Sequence, residues 1–291
     1  GESVFRSLET SALIDLEDEA ESVVALGAGA LLRDESRALA QNNGRVVLLM
    51  AELEILIERI QNDSVKRPLL KGDLREKLTS LLANRNEHYS SFSLVARVDE
   101  KSEDQNTHQV QTVLGRYHLS AMGEYDVIVQ SYGVEEIGNF LKLYGLRNPL
   151  IVTDENVTKF HAEKVAFVLR ASGFDPKVLT VPAGEAYKKL ETISQLWHGF
   201  LEAGLDRKST IIALGGGVVS DMAGFAASTY MRGIAWVGIP TTLLSMVDAS
   251  LGGKTGFDLP EGKNLIGAFY PPKLVLADPQ LLSTLPEAEL I

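Results

Sequence analysis

The sequence has no cysteine, which excludes a disulfide scaffold, a thiolate metal site and a thiol nucleophile. Basic residues are in deficit: 28 Lys and Arg stand against 39 Asp and Glu, for a formal net charge of −11, and both halves are acidic. Nucleic-acid binding needs clustered cations that displace counterions, so no nucleic-acid partner is expected. Long apolar runs are missing too. The longest uncharged stretch of the second half, Gly233 to Val247, contains Pro240 and falls short of the ~20 apolar residues of a spanning helix. No membrane partner is expected, and without a secretory signal at the start the expected location is cytoplasmic. What remains is a globular balance, 45 % hydrophobic and 23 % charged over 291 residues, enough for about two domains. The sequence opens on Gly1 inside a helical pattern and stops at Ile291 in a charged run. A piece of a longer protein is therefore expected.

Residues 1–105 alternate short apolar runs with helical patterns. VVALG (Val23 to Gly27) and RVVLLM (Arg45 to Met50) have the length of buried parallel strands. Leu53, Leu56, Ile57 and Ile60, and again Leu74, Leu78, Leu81 and Leu82, recur at helical spacing. EKSEDQNTHQ (Glu100 to Gln109) is polar without periodicity and opens a linker placed at 106–123. From 124 the alternation resumes, with strands predicted at DVIVQ, PLIVTD, KVLTVP, TIIALGGG and IAWVGIP, and a helix over Tyr187 to Ala203 stopped by Gly204. Two α/β units with parallel sheets follow from this order.

In IIALGGGVVSDMAGF (Ile211 to Phe225) a buried strand runs into three glycines and a small-residue helix. Glycines there let a ligand approach the backbone, and the helix start offers free N–H groups to a phosphate; a tight turn made for packing is the alternative. Pro240 to Phe269 then gathers Thr241, Thr242, Asp248, Lys254, Lys263 and Asn264 in one loop-rich stretch after a strand, where α/β sheets bind ligands. DASLGGKT is not a Walker loop, because Asp248 stands where the first glycine belongs and no strand feeds into it.

AGEAYK, GGGVVSD, PTTLL, VDASLGGKTG, GKNLIGAF and LLSTLPEAE, in this order, resemble the NAD-binding N-terminal part of 3-dehydroquinate synthase. The resemblance implies a Rossmann-like NAD-binding α/β domain. It implies that Asp154, Asn156, Glu185 and Lys188 hold the adenosine side of NAD. Gly216, Gly217, Val218, Asp221, Thr241, Thr242 and Leu244 would cradle its pyrophosphate and nicotinamide ribose, and Thr284 would close the cofactor site. Asp248, Lys254, Lys263 and Asn264 are the implied catalytic residues facing nicotinamide and substrate. The implied reaction is a transient oxidation of heptulosonate phosphate by NAD, elimination of phosphate, return of the hydride and ring closure. A divalent metal, zinc or cobalt, acts as Lewis acid in that family. Its ligands, a glutamate and two histidines from a helical domain, are absent here: His88, His108, His118, His161 and His198 form no ligand-like pair.

The first unit has arginines in telling places: Arg6 after Phe5, Arg33 beside a small-residue stretch, Arg67 before Pro68, and Arg85. Each alone reads more readily as a solvated surface group, and it is their contexts that argue otherwise for some. GESVFR, GAGA, KRPLL and NRNEHY are similar to the later part of shikimate kinase, a three-layer P-loop-kinase-like α/β fold. By that resemblance Arg6, Ala28 and Arg85 bind shikimate and Arg67 reaches ATP, with magnesium as the kinase's ion. Ala28 replaces the middle glycine of the family's loop, and the phosphate-binding loop itself is absent. The expected whole is a piece of a shikimate-pathway fusion, a partial kinase followed by a synthase domain and inactive by itself, in an enzyme whose assembly as a homodimer is compatible with the family. Another sugar-phosphate cyclase, or a non-catalytic remnant binding NAD or shikimate, stays open.

Overall fold

The computed structural model describes residues 2–16, 22–62, 73–99, 102–120 and 122–290. The chain divides into two compact units, 1–114 and 115–291.

In the first unit, helix α1 (Glu2–Asp15) and α2 (Asp34–Asn43) precede strand β1 (Leu48–Met50), which is followed by α3 (Leu53–Gln61), α4 (Leu74–Asn84) and α5 (Asn86–Ser90). Strand β2 (Val95–Arg97) pairs parallel with β1, and α6 (Glu103–Val113) closes the unit. The helical spacings of Leu53–Ile60 and Leu74–Leu82 thus form the helices they predict, and Asp73 caps α4 by accepting from the Glu76 N–H. Two expectations fail. Val23 to Gly27 is exposed and forms no strand, since no neighbouring strand among the described residues offers it a ladder. The polar stretch read as a linker folds into α6 through a reciprocal capping box between Ser102 and Gln105, which satisfies helix-start donors without any apolar periodicity.

The second unit is built on one seven-stranded sheet. Its strands are β3 (Arg116–Leu119), β4 (Tyr125–Val129), β5 (Arg147–Asp154), β6 (Lys177–Val181), β7 (Ser209–Gly215), β8 (Ala235–Pro240) and, after the separate hairpin of β9 (Lys254–Leu259) and β10 (Gly262–Phe269), β11 (Leu274–Ala277). They lie in the order β3-β4-β11-β8-β7-β5-β6. All pairings are parallel except β3 against β4. The five strands predicted from apolar runs are therefore all present, whereas β3, β9, β10 and β11 were not expected.

Both faces of the sheet are covered. Ile212 and Leu214 of β7 pack with α7 (Ile137–Leu143) and α9 (Glu163–Ala171), which follows the short α8 (Glu155–Val157). Ile211 and Ala213, on the opposite face, pack with α10 (Leu190–Glu202) and α11 (Gly217–Thr229). Strand alternation sends successive side chains to opposite layers, so β7 is buried along its whole length. After β5 the chain moves outward to β6, and after β7 it moves the other way to β8. The order reverses between β5 and β7, which opens a crevice at their carboxyl ends, where doubly wound sheets bind ligands.

Candidate ligand sites in the two units

Asp154 ends β5, and its Oδ1 accepts from the N–H groups of Asn156 at 2.8 Å and Val157 at 3.0 Å. The carboxylate thereby caps the helix that follows and is held at the mouth of the crevice. On the next strand, β7 ends at Gly215, and Gly216 and Gly217 open α11. A Cβ on Gly215 would stand 2.6 Å from Val219, and one on Gly217 would stand 3.0 Å from the Ala249 Cβ. The packing reading of these glycines is therefore right: the turn folds tightly, and at the start of α11 a Cβ on Gly216 would stand 3.2 Å from the Thr242 methyl. Val218 lies in that first helical turn.

Thr241 and Thr242 follow β8. Thr242 Oγ1 accepts from the Ser245 N–H at 3.2 Å, and the Ser250 hydroxyl donates to the Ser245 carbonyl at 2.7 Å. These bonds hold a π-helical turn over Ser245–Ala249. The buried hydroxyls of Ser220, Thr241 and Ser245 have no hydrogen-bond partner among the described residues. Buried polar groups rarely go unpaired, so a polar ligand at this end of the sheet would meet waiting groups. Leu244 and Asp248 are exposed on the same turn.

The polar centre of the site is Lys188. Its ammonium, on a side chain only 4 % exposed, donates to Asp221 Oδ2 and to Asn264 Oδ1, both at 2.5 Å. Asp221 projects from α11, Lys188 follows a 3₁₀ turn over Glu185–Tyr187, and Asn264 sits on β10. Burial pushes the Asp221 carboxyl above the usual carboxylate range, against the pull of Lys188, with Glu185 and Asp258 adding to the rise. Lys263, 71 % exposed, pairs with Glu185 at 3.2 Å. Lys254 is exposed at the start of β9. Hence Glu185, Lys188, Asp221, Lys263 and Asn264 are brought together.

Thr284 lies apart from that cluster, on the 3₁₀ segment Pro279–Thr284. Its Oγ1 is 2.7 Å from Nε2 of buried His161. His161 is in a π-helical turn over Thr158–Ala162, and burial lowers its pKa, helped by Lys164. By sequence His161 was weighed only as a metal ligand; a histidine in the helical segment that follows the end of β5 was the available signal.

In the first unit Arg6, Ala28 and Arg85 line one cavity of about 900 Å³, together with Glu9, Gly29 and Tyr89. Arg6 Nη1 is 2.6 Å from Glu9 Oε2. The Tyr89 hydroxyl donates to the Ala28 carbonyl at 3.0 Å, and Arg85 reaches the same oxygen at 3.4 Å. Ala28 is not in the left-handed region, so its Cβ brings no backbone strain to a loop where the related family has glycine. Arg67 lies outside the described residues.

Among the described residues no group of three or more His, Cys, Asp or Glu is placed to hold a metal ion. His118 pairs with Asp126, and His198 Nδ1 is 2.7 Å from the Ser194 carbonyl. No helix among the described residues is long and apolar enough to cross a membrane.

Comparison with known proteins agrees with this geometry. Residues 1–115 match the shikimate kinase family model, and residues 178–291 match the model of the 3-dehydroquinate synthase N-terminal part. A 3-dehydroquinate synthase of Gloeobacter violaceus is 50 % identical over 169 residues, covering 58 % of this chain and 47 % of that protein. Another, from a Cyanothece species, is 49 % identical over 169 residues, covering 57 % and 46 %. The chain spans about half the length of the curated relatives it matches. Among solved structures, 2-deoxy-scyllo-inosose synthase complexed with carbaglucose-6-phosphate, NAD+ and Co2+ superposes with a TM-score of 0.56 at 28 % identity, covering 60 % of this chain and 47 % of that one. The 2-epi-5-epi-valiolone synthase of Streptomyces hygroscopicus, with NAD+ and Zn2+ bound, gives 0.52 at 35 % identity, covering 57 % and 46 %. Residues 1–115 are therefore a segment of the shikimate kinase family, with its P-loop-kinase-like fold, and residues 178–291 a Rossmann-like segment of the 3-dehydroquinate synthase family.

Proposed function

We propose that the second unit binds NAD at the carboxyl ends of β5 and β7 and contributes the cofactor half of a 3-dehydroquinate synthase, a lyase that eliminates phosphate from heptulosonate phosphate and closes the ring. The first unit, on the same reading, belongs to a shikimate kinase using ATP and magnesium, which makes the parent a cytoplasmic fusion of two steps of aromatic biosynthesis. One observation carries this reading: a capped carboxylate at the end of β5, a glycine turn at the end of β7 and unpartnered hydroxyls after β8 meet at the reversal of strand order, beside buried Lys188.

The residues present fit the cofactor. Asp154 and Asn156 would hold the adenosine side, with Glu185 and Lys188 contacting its ribose. The start of α11 at Gly216, Gly217 and Val218 would take the pyrophosphate through backbone N–H groups. Asp221, Thr241, Thr242 and Leu244 would line the nicotinamide side. A bound nicotinamide supplies a reversible hydride acceptor. Lys254 and Lys263 carry exposed ammonium groups suited to the phosphate and carboxylate of the substrate, and Asp248 and Asn264 would orient its hydroxyls. A metal finds no seat among the described residues, so no step of this chain is assigned to one. In the first unit Arg6 and Arg85 would grip the shikimate carboxylate.

Calorimetric titration of the 291-residue chain with NAD+ tests the central point. Saturable 1:1 binding that Lys188→Met weakens at least about tenfold, the worth of one charge-assisted hydrogen bond, is the expected result. Absence of binding by a chain that is folded by circular dichroism overturns it. In the complete parent enzyme, turnover of heptulosonate phosphate but not of sedoheptulose phosphate separates the synthase from other sugar-phosphate cyclases.

A further inference from the structure

The hairpin that carries Lys263 and Asn264 is irregular. Leu259 pairs with Gly262 and Phe257 with Ile266. Between these two pairs Asp258 on β9 therefore faces Lys263, Asn264 and Leu265 on β10. Such a bulge leaves residues out of the ladder and re-aims their side chains. Asn264 adopts φ +55, a left-handed conformation that asparagine tolerates better than most residues.

Two bonds of one residue hold this arrangement. Asp258 Oδ1 accepts from the Asn264 N–H at 2.7 Å, supplying the partner that the broken ladder withdraws. The Asp258 N–H donates to the Lys188 carbonyl at 2.8 Å. Lys188 in turn donates from its ammonium to Asn264 Oδ1. The three residues close a ring of contacts, in which Asp258 touches the backbone of both side chains that point into the site. None of the motif residues singled out from the sequence includes it.

We propose that Asp258 is a positioning residue that sets the direction of Asn264 and Lys188 and, through the same bulge, of Lys263. This rests on the reading of the second unit as an NAD site. Asp258 works as a hydrogen-bond acceptor: asparagine at this position keeps an oxygen in the same place and removes only the charge, whereas alanine removes the acceptor.

The test uses the full 291-residue chain with two readouts, hydrogen exchange at the Asn264 amide and calorimetric affinity for NAD+. In Asp258→Ala, exchange at Asn264 accelerates about tenfold and the NAD+ dissociation constant rises about fivefold, as loss of one hydrogen bond implies. In Asp258→Asn both return to within about twofold of the parent. Asp258→Ser, too short to reach the amide, repeats the alanine result should the alanine variant fold poorly. Unchanged exchange in Asp258→Ala overturns the positioning role whatever the cofactor does. Faster exchange with unaltered NAD+ affinity overturns it as well, leaving Asp258 a purely local staple. A parent chain that takes up no NAD+ overturns the cofactor reading, and exchange then decides the role of Asp258 in the bulge by itself.

Discussion

Lys188 and Asn264 are 76 residues apart in the chain, yet the lysine Nζ lies 2.5 Å from the asparagine Oδ1. The same ammonium meets Asp221, so a segment before α10, the first turns of α11 and the hairpin strand β10 share one buried charge. Burial of the ammonium strengthens that dependence, because Lys188 itself cannot turn to water.

Removing the cation should be expensive. Lys188→Met leaves the Asp221 carboxylate buried and unpaired and is expected to destabilise the second unit by about 3 kcal/mol. Adding Asp221→Leu removes the orphaned charge and should recover most of that loss. Urea denaturation of the two variants checks the pair; a loss below about 1 kcal/mol in the single variant would mean that the ion pair is not formed in solution.

The glycine turn gives a second prediction. In Gly215→Ala the new Cβ meets Val219 at 2.6 Å, a clash within a closely packed strand-to-helix turn. A cost of about 1–3 kcal/mol is expected, read as a lowered melting temperature. Pairing it with Val219→Ala should restore stability, since the obstacle is that side chain.

His161 predicts a pH dependence. Its folded pKa is below the unfolded value because burial disfavours the imidazolium. The unfolded chain therefore binds the proton first as pH falls. Stability is unaffected by this group above about pH 6.5 and declines below it, by at most about 1.4 kcal/mol per pH unit, until the folded form protonates. His161→Asn should flatten that part of the profile in denaturation series between pH 5 and 8. An identical slope in parent and variant would assign the titration to another group.

In the first unit, a Cβ on Gly29 would fall 2.5 Å from the Arg6 guanidinium, the far end of a flexible side chain. Gly29→Ala should therefore move Arg6 and, on the proposed reading of this cavity as a shikimate site, weaken shikimate binding about tenfold while costing less than about 1 kcal/mol of stability. Equal affinity in parent and variant would show that the cavity around Arg6 is not where shikimate binds.

The sequence was most legible where burial is two-sided. Ile211 to Gly215 and Ala235 to Pro240 are unbroken apolar runs because helices cover both faces of the sheet. It was least legible where pairing or capping replaces burial. Gly262 to Phe269 is nearly all exposed, so no periodicity marks it as a strand, and only the ladder to β9 makes it one. Leu274–Ala277 is too short to stand out, yet it lies between β4 and β8. The motif residues were nameable one by one. That Lys188 would join Asp221 to Asn264 was not, because their meeting depends on how far the hairpin reaches over α11, where Gly224 lets Thr255 approach.

Strand β3 starts two residues after the first unit ends, and it ladders onto β4 from Arg116–Ile128 to Leu119–Tyr125. Its His118 also pairs with Asp126, whose other oxygen takes the Tyr144 hydroxyl. A second unit excised at residue 123, where composition suggested the border, would bare the β4 edge to other chains, whereas one excised at 115 would carry its own edge cover with it.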